Sequence, residues 1–559
     1  MSRILILGGY GGFGARLTRR LAGRGYHILV AGRNAEKARA FCARLGGTEP
    51  VVADRDGDLD RLLVEQRPDL LIDAAGPFQN SGYHVPLACA RAGVPYLDLA
   101  DARDFVTGIG ALDAAAVEAG VAIVSGASSV PALSGAVARH LARGMERVTQ
   151  VEVAISASNR ATAGPSVAAA ILSYVGRPVR LWRHRRWTRG WGWQQLRRET
   201  FAVAGVPEVR GGWVALAEVP DLDLMPDMLP GRPAVMFRAG TEIALQTIGL
   251  WLLSWPIRWF GLSATPLAPV LLPLQRLTRA LTSDRSAMSV RLAGDGAEGF
   301  IERRWTLIAE RGDGPETPTL AAVLLAEAVL AGRLPAGARD AGRLLELAEF
   351  GPLFATLAVR HETVEVGLLD PLYRRVMGPA FDALPVAVRA MHRVCRDGGA
   401  SGEARVERGT GLLARIVARI MGFPPAGTHR LHVGFAERDG VETWTRSFGR
   451  QAFTSRLSQQ GGRLVERFGP LRFHFDLPSD GQGLRMVIRR WTCLDIPLPL
   501  ALAPRSDARE WQEGDRFRFD VPIALPLIGL VVHYDGWLLP SPSLLPVREG
   551  DRFRRAARP

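Results

Sequence analysis

Residues 3–34 read RILILGGYGGFGARLTRRLAGRGYHILVAGRN. The order is strand, glycine turn, helix, strand, and it sets the reading of the whole N-terminal part. Arg3 to Leu7 is a short apolar run of buried-strand type, Gly9-Tyr10-Gly11-Gly12-Phe13-Gly14 fits G-x-G-x-x-G, and Ala15 to Ala22 carries leucines at helical spacing. Each glycine of such a turn has a task. One makes the tight turn, one lets the backbone approach a pyrophosphate, and one lets the helix close on the strand, so that the helix N-terminus offers N–H groups and a positive dipole end to the anion. The pattern predicts a βαβ unit that holds a dinucleotide over Gly9, Tyr10, Gly11, Gly12, Phe13 and Gly14.

The end of the second strand selects the cofactor. An acid there would hydrogen-bond the ribose 2′-OH of NAD, whereas an arginine accommodates the 2′-phosphate of NADP. Here the strand YHILVAG runs into Arg33 and Asn34, and one helical turn on comes Lys37, the only lysine of the chain. A doubly negative 2′-phosphate is expected against Arg33, with Asn34 beside it and Lys37 as a second point charge. NADP is expected over NAD.

Further along, VVAD (51–54) and DLLIDAAGPF (69–78) are the next apolar strand runs, separated by the helical DLDRLLVEQR. The alternation predicts a parallel, doubly wound α/β sheet of Rossmann type, complete by about Ser129. Ligands of such sheets lie beyond the carboxyl ends of the strands. Asp54 is therefore expected to face the adenine, and the turn Ala75-Gly76-Pro77-Phe78 the nicotinamide-side ribose.

These stretches, together with ACARAGVPYLDLAD and GASSVPALS, resemble the saccharopine dehydrogenase-like NAD(P)-binding family over about residues 1–358. The resemblance implies a Rossmann domain (1–129), an inserted α+β substrate domain (130–317), and a return to the Rossmann domain (318–358) through TPTLAAVLLAEAVLAGRLP. It also places Gly76-Pro77-Phe78 at the edge of the active cleft. Family members often read Asp-Leu-Thr-Gly-Glu after the fifth strand, where this chain departs with Asp98-Leu99-Ala100-Asp101-Ala102.

From about Leu368 the grammar changes to short helical runs and then to period-2 stretches with DG-type turns, as in RLHVGFAERDGVETWTRSF. These predict a mostly antiparallel β domain (366–559), a curved sheet or barrel whose apolar inner face is either a packed core or a seat for a lipophilic ligand. ERFGP, PLPLALAP and YDGWL resemble a bacterial domain of unknown function that follows saccharopine dehydrogenase-like modules.

Two stretches bear on partners. Residues 177–198 hold eight arginines and four tryptophans with no acid. Such interleaving suits single strands or an anionic lipid surface, and equally a solvated hairpin whose tryptophans pack beneath their neighbours. Residues 243–275 carry Arg258 as their sole charge, and Trp251, Trp255 and Trp259 fall on one helix face. Burial against the sheet or in a homodimer contact, insertion in a membrane interface, and a true span all remain open for it.

The net charge of +14 comes from 69 Arg and one Lys against 56 acids, a bias expected of a GC-rich bacterial genome. The first 130 residues balance 14 basic against 14 acidic side chains, so no specific nucleic-acid partner is expected of the cofactor domain. Four scattered cysteines without C-x-x-C spacing fit a reducing cytosol, and no signal-peptide pattern precedes the first strand. The N-terminal domain is expected on the cytoplasmic side, peripheral to the inner face of the membrane if the tryptophan helix docks there.

Hydride transfer is the cofactor's chemistry, which leaves the protein to orient the nicotinamide and supply a proton. A Tyr-x-x-x-Lys pair and a lysine Schiff base both fail, because Lys37 sits in the cofactor turn. No metal-ligand cluster is expected. Tyr83 and His84 are the nearest titratable groups to the expected nicotinamide, but a helix-start Tyr-His is more often structural, and no catalytic residue is assigned. Two classes stand: an NADP-dependent oxidoreductase for a carbonyl, imine or alkene of a small or lipophilic substrate, and a non-catalytic NADP-sensing or membrane-docking protein.

Overall fold

The computed structural model describes residues 1–158, 165–267 and 283–540. The expected α/β Rossmann unit is a seven-stranded, all-parallel sheet in the order Gly337–Asp340, Ala122–Ser125, Tyr96–Asp98, Leu70–Asp73, Arg3–Leu7, His27–Gly32, Thr48–Val52. The central strands are buried on both faces, which is why they read as unbroken apolar runs. Six strands come from the first 125 residues; the seventh, Gly337–Asp340, arrives after the inserted domain. The helix Thr317–Leu330 leads it back, and Glu316 at its start meets Arg20 at 2.7 Å on the glycine-turn helix.

The inserted domain is a second seven-stranded sheet built from Arg147–Ala157 to Val359–Gly367. Its strands pair antiparallel except Ala234–Thr241, which runs parallel to Arg147–Ala157. Between the two sheets lie the helices Ser134–Leu141 and Thr317–Leu330, and one continuous core joins Ile4 and Ile6 to Val151 and Trp305. A helix of each domain is tied to the other by Arg103 on Arg103–Thr107: buried, it forks onto the carboxylate of Asp223 on Asp221–Met228 at 2.6 and 2.7 Å.

The arginine-tryptophan stretch forms a hairpin, Pro178–Arg183 against Arg186–Trp191. Arginines lie over its tryptophans, its own Arg180 4.6 Å from the Trp187 ring centre and Arg258, from the later helix Ala244–Phe260, 4.4 Å from that of Trp191. The turn reaches the C-terminal domain, where the His184 N–H donates to Asp397 at 2.8 Å. The tryptophan face belongs to the helix Ala244–Phe260, whose Ser254 and Ile257 are buried beside Gly176 while Leu252, Trp259 and Phe260 are exposed. This helix has 17 residues. No described helix is long and apolar enough to cross a membrane; residues 268–275 of the stretch lie outside the described residues.

The C-terminal domain is a closed antiparallel barrel. Ten strands, from Asp397–Arg408 to Gly529–Pro540, pair in a ring that the ladder between Leu471–Asp476 and Gly483–Cys493 closes. Alternate residues point inward, for example Phe517 and Phe519 on one strand and Trp444 and Phe448 on another. Prolines 379 and 385 break the helical stretch before the barrel into the short helices Leu372–Met377 and Val386–His392. These cap one end, where Tyr373 stacks on His392 at 3.6 Å between ring centres.

Candidate dinucleotide cleft

Strand order reverses beside Arg3–Leu7, whose neighbours are His27–Gly32 on one side and Leu70–Asp73 on the other. A crevice must open beyond the strand ends at such a switch point. The cleft found there measures ≈ 990 Å³, its floor the parallel sheet's turns and its roof Ile155, Met288 and Leu307 of the inserted sheet.

The glycine turn divides its labour. A Cβ on Gly14 would sit 2.1 Å from the Gly8 carbonyl oxygen, so the helix Gly14–Ala22 closes on the strand only without a side chain. Gly9 and Gly11 are also enclosed, each with a carbonyl oxygen 3.0 Å from the missing Cβ. Gly12 has nothing within 4 Å and lines the cleft with Gly11, Tyr10 and Phe13. The backbone that an anion approaches most freely is therefore at Gly12. The buried Thr18 hydroxyl donates to the Gly9 carbonyl at 2.9 Å and fixes the turn on the helix.

At the second strand's end, Tyr10 lies against Gly32, where a Cβ would meet its ring at 2.4 Å, and the Tyr10 hydroxyl accepts from the Asn34 N–H at 2.9 Å. Arg33 is exposed on the cleft wall and has no partner among the described residues. Asn34 acts as the N-cap of the helix Ala35–Cys42, its side chain accepting from the Lys37 N–H at 2.9 Å. The Lys37 side chain is exposed on that first turn, away from the cleft lining. Gly9 and Gly14 shape the turn from behind and also stand off the lining.

Asp54 is on the wall, accepting from the Asp56 N–H at 3.2 Å. Its neighbour Arg55 is the residue that sequence reasoning missed. The Arg55 guanidinium donates to the fully buried Asp73 carboxylate at 2.7 Å, and the other Asp73 oxygen accepts from the Ala75 N–H at 3.0 Å. The pair thereby sets the turn of Ala75, Gly76, Pro77 and Phe78, all of which line the cleft. Arg55 also lies over the Phe78 ring at 5.2 Å. An aspartate ending an otherwise apolar strand was the one signal available, because such a buried carboxylate needs a partner.

Tyr83 turns away from the cleft: its hydroxyl donates to the Phe105 carbonyl at 2.8 Å and its ring packs on Phe105. His84 stands at the rim, with Nε2 3.1 Å from the Arg55 carbonyl and 3.2 Å from the Asp56 carboxylate. After the fifth strand, Asp98 is buried behind the cleft, accepting from the N–H groups of Gly126 at 2.7 Å and Ala100 at 3.0 Å. Burial pushes its carboxyl up to about 6 against those donors. Asp101 faces the cleft and accepts from the Gln79 amide at 3.3 Å. Ser128, Ser129 and Thr317 add hydroxyls on the same side.

Residues 4–124 match the family model described as saccharopine dehydrogenase NADP binding domain, and residues 384–538 match the domain of unknown function DUF4166. A search of curated proteins found no match. Among solved structures, the gentamicin A biosynthesis protein GenD2 in complex with NAD is 16% identical, over 66% of this chain and 97% of its own, with a TM-score of 0.30. The Bordetella bronchiseptica enzyme WbmG in complex with NAD is 24% identical over 17% of this chain, with a TM-score of 0.15, and the match spans only 36% of its length. A 3-hydroxyacyl-CoA dehydrogenase type-2 from Mycobacterium avium is 18% identical over 22% of this chain and 72% of its own, with a TM-score of 0.20. The first domain is thus similar to a nicotinamide-dinucleotide-binding domain, and the barrel region to the DUF4166 domain.

Proposed function

We propose that the chain is an NADP-dependent oxidoreductase acting on a carbonyl, imine or alkene group of a lipophilic small molecule. The observation that carries the reading is Arg33, an exposed and unpartnered guanidinium on the cleft wall at the end of the second strand. The cleft's volume and the open backbone at Gly12 fit a dinucleotide, and the apolar roof of Ile155, Met288 and Leu307 fits a lipophilic substrate. When bound, NADP would supply the hydride chemistry.

The remaining work falls to the chain's own groups. Gly12 and the N-terminus of the helix Gly14–Ala22 receive the pyrophosphate, and Arg33 receives the 2′-phosphate. Pro77 and Phe78, held through Arg55 and Asp73, border the nicotinamide end, and the roof excludes water from it. Asp101, placed by Gln79, is the ionisable side chain we assign to proton exchange with substrate, since Tyr83 is committed to Phe105 and no lysine reaches the site.

The test is NADPH oxidation by the full chain against aldehydes, ketones, imines and enones of increasing chain length. Turnover should appear with the longer substrates, and Asp101→Asn should lower kcat while leaving dinucleotide affinity intact. Tight NADPH binding without turnover on any of these substrates would replace this reading with the non-catalytic, NADP-sensing one.

A further inference from the structure

The barrel has one closed end and one open end. Its closed end carries the helices 372–377 and 386–392 and meets the inserted sheet, Arg396 reaching Glu302 at 3.1 Å. The strand Gly529–Pro540 runs from the open end to the closed one, so the last described residue lies away from the mouth. Inside, an apolar cavity of ≈ 200 Å³ extends from Trp444 and Phe517 at the floor to Phe473, Ile488 and Ile523, which are partly exposed at the mouth.

Charges in the cavity wall are already matched. Arg446 donates to the Ser455 hydroxyl at 2.8 Å and faces Glu466 at 3.5 Å, while Glu510 is held by His392 at 2.6 Å. Among the described residues no unpaired cation lines the cavity to meet an anionic group, so the wall suits hydrocarbon.

The open end is where a soluble barrel should be most polar, and it is not. Three connections separated in sequence each present aliphatic side chains to solvent there. The helix Leu412–Ile420 buries Ala414 and Ala418 yet exposes Leu412, Leu413, Ile416 and Ile420. The loop after Cys493 exposes Leu494, Ile496, Leu500 and Leu502, and the turn before Gly529 exposes Leu527 fully. Val417 of the same helix, Met421 just after it, and Leu525 beside the turn line the cavity, so the exposed collar is continuous with its wall. Arg415 and Arg419 are exposed among the collar's leucines. Contiguous exposed apolar surface of this kind marks a ligand or membrane site.

We propose that the barrel is a binding site for the hydrocarbon chain of an anionic single-chain lipid, with the chain inside, the head group at the mouth beside Arg415 and Arg419, and the aliphatic collar as its port of entry. The site is independent of the dinucleotide cleft. An apolar cavity of about 150 Å³ accepts the six carbons of benzene. By that scale ≈ 200 Å³ holds about eight.

The experiment uses the full chain and isothermal titration calorimetry with straight-chain carboxylates of increasing length. Saturable 1:1 binding is expected, with affinity rising about fourfold per methylene, the change that about 0.8 kcal/mol per CH₂ produces, and flattening beyond about eight buried carbons. Ala508→Phe and Ile523→Trp, which fill the cavity, should abolish binding. The triple variant Leu500→Ser, Leu502→Ser, Leu527→Ser changes exposed positions only; it should keep the affinity within about twofold and slow uptake of a straight-chain carboxylate from phosphatidylglycerol vesicles. If a filled variant does not fold, judged by its melting curve, the methylene series in the unmodified chain decides. Absence of saturable binding, a flat methylene series, or full binding in folded, filled variants would overturn the proposal. Loss of NADPH binding or turnover would bear on the cleft alone.

Discussion

Replacing Arg33 by alanine separates the two cofactors. The guanidinium is exposed on the cleft wall and bonded to nothing else among the described residues, so its removal breaks no internal contact. The fold should be unaffected. A hydrogen bond to a charged group contributes about 1.5–3 kcal/mol, and exposure places Arg33 toward the lower end. NADPH should therefore bind roughly 10- to 30-fold more weakly to Arg33→Ala, while NADH affinity changes by no more than about twofold. Salt supplies an independent check. The Debye length falls from about 10 Å at 0.1 M to about 3 Å at 1 M, so the NADPH advantage of the unmodified protein should shrink across that range while NADH affinity moves little. Lys37→Ala should weaken NADPH less than Arg33→Ala, because Lys37 is exposed on the helix turn and off the cleft lining. Titration of the nicotinamide fluorescence measures all of these affinities. Equal affinity of the unmodified protein for both cofactors, or an equal loss for both in Arg33→Ala, would refute the assignment.

Other substitutions probe the turn, the buried acid and the domain contact. Gly12→Val should leave the melting temperature unchanged and weaken dinucleotide binding more than about 10-fold, since its side chain enters open cleft, whereas Gly14→Ala should destabilise the fold because its Cβ would lie 2.1 Å from the Gly8 oxygen. Asp98 has a folded-state pKa of about 6, above the 3.8 of an unburied carboxyl, so the folded state binds more protons between those values and stability falls as pH rises through that window. At about 1.4 kcal/mol per pH unit the cost approaches about 3 kcal/mol above pH 6. Asp98→Asn should then be the more stable protein at pH 8 and lose that advantage near pH 4, as urea titrations at the two values will show. Arg103→Met should cost about 3–5 kcal/mol in the same assay, because it strips the buried fork from Asp223 between the two domains; a loss below about 1 kcal/mol would mean that Arg180, 3.0 Å from Asp223, suffices.

Much of the dinucleotide cleft was legible along the chain because its chemistry is local. A pyrophosphate is held by consecutive backbone groups, so the glycines from Gly9 to Gly14 fall close together, and the residue expected beside the ribose, Arg33, follows the next strand. Period-2 patterning likewise announces an antiparallel domain, since alternation is a property of each strand alone. Patterning carries no information on closure, however. Only the ladder between Leu471–Asp476 and Gly483–Cys493 turns the sheet into a ring, and closure gathers the leucines of 412–420, 494–502 and 527 at one mouth. The same holds in the cleft: Asp73 at its strand's end meets Arg55 on a neighbouring loop, Asp101 meets Gln79, and the strand Gly337–Asp340 pairs with Ala122–Ser125 more than 200 residues away. The tryptophans of 182 and 187 show the limit most directly, because the arginine-rich run does not itself reveal the hairpin register that pairs them, nor that Arg180 lies over Trp187 and beside Asp223. Contacts between residues far apart in sequence depend on how layers pack, and packing is decided by shapes and buried area that no local pattern encodes.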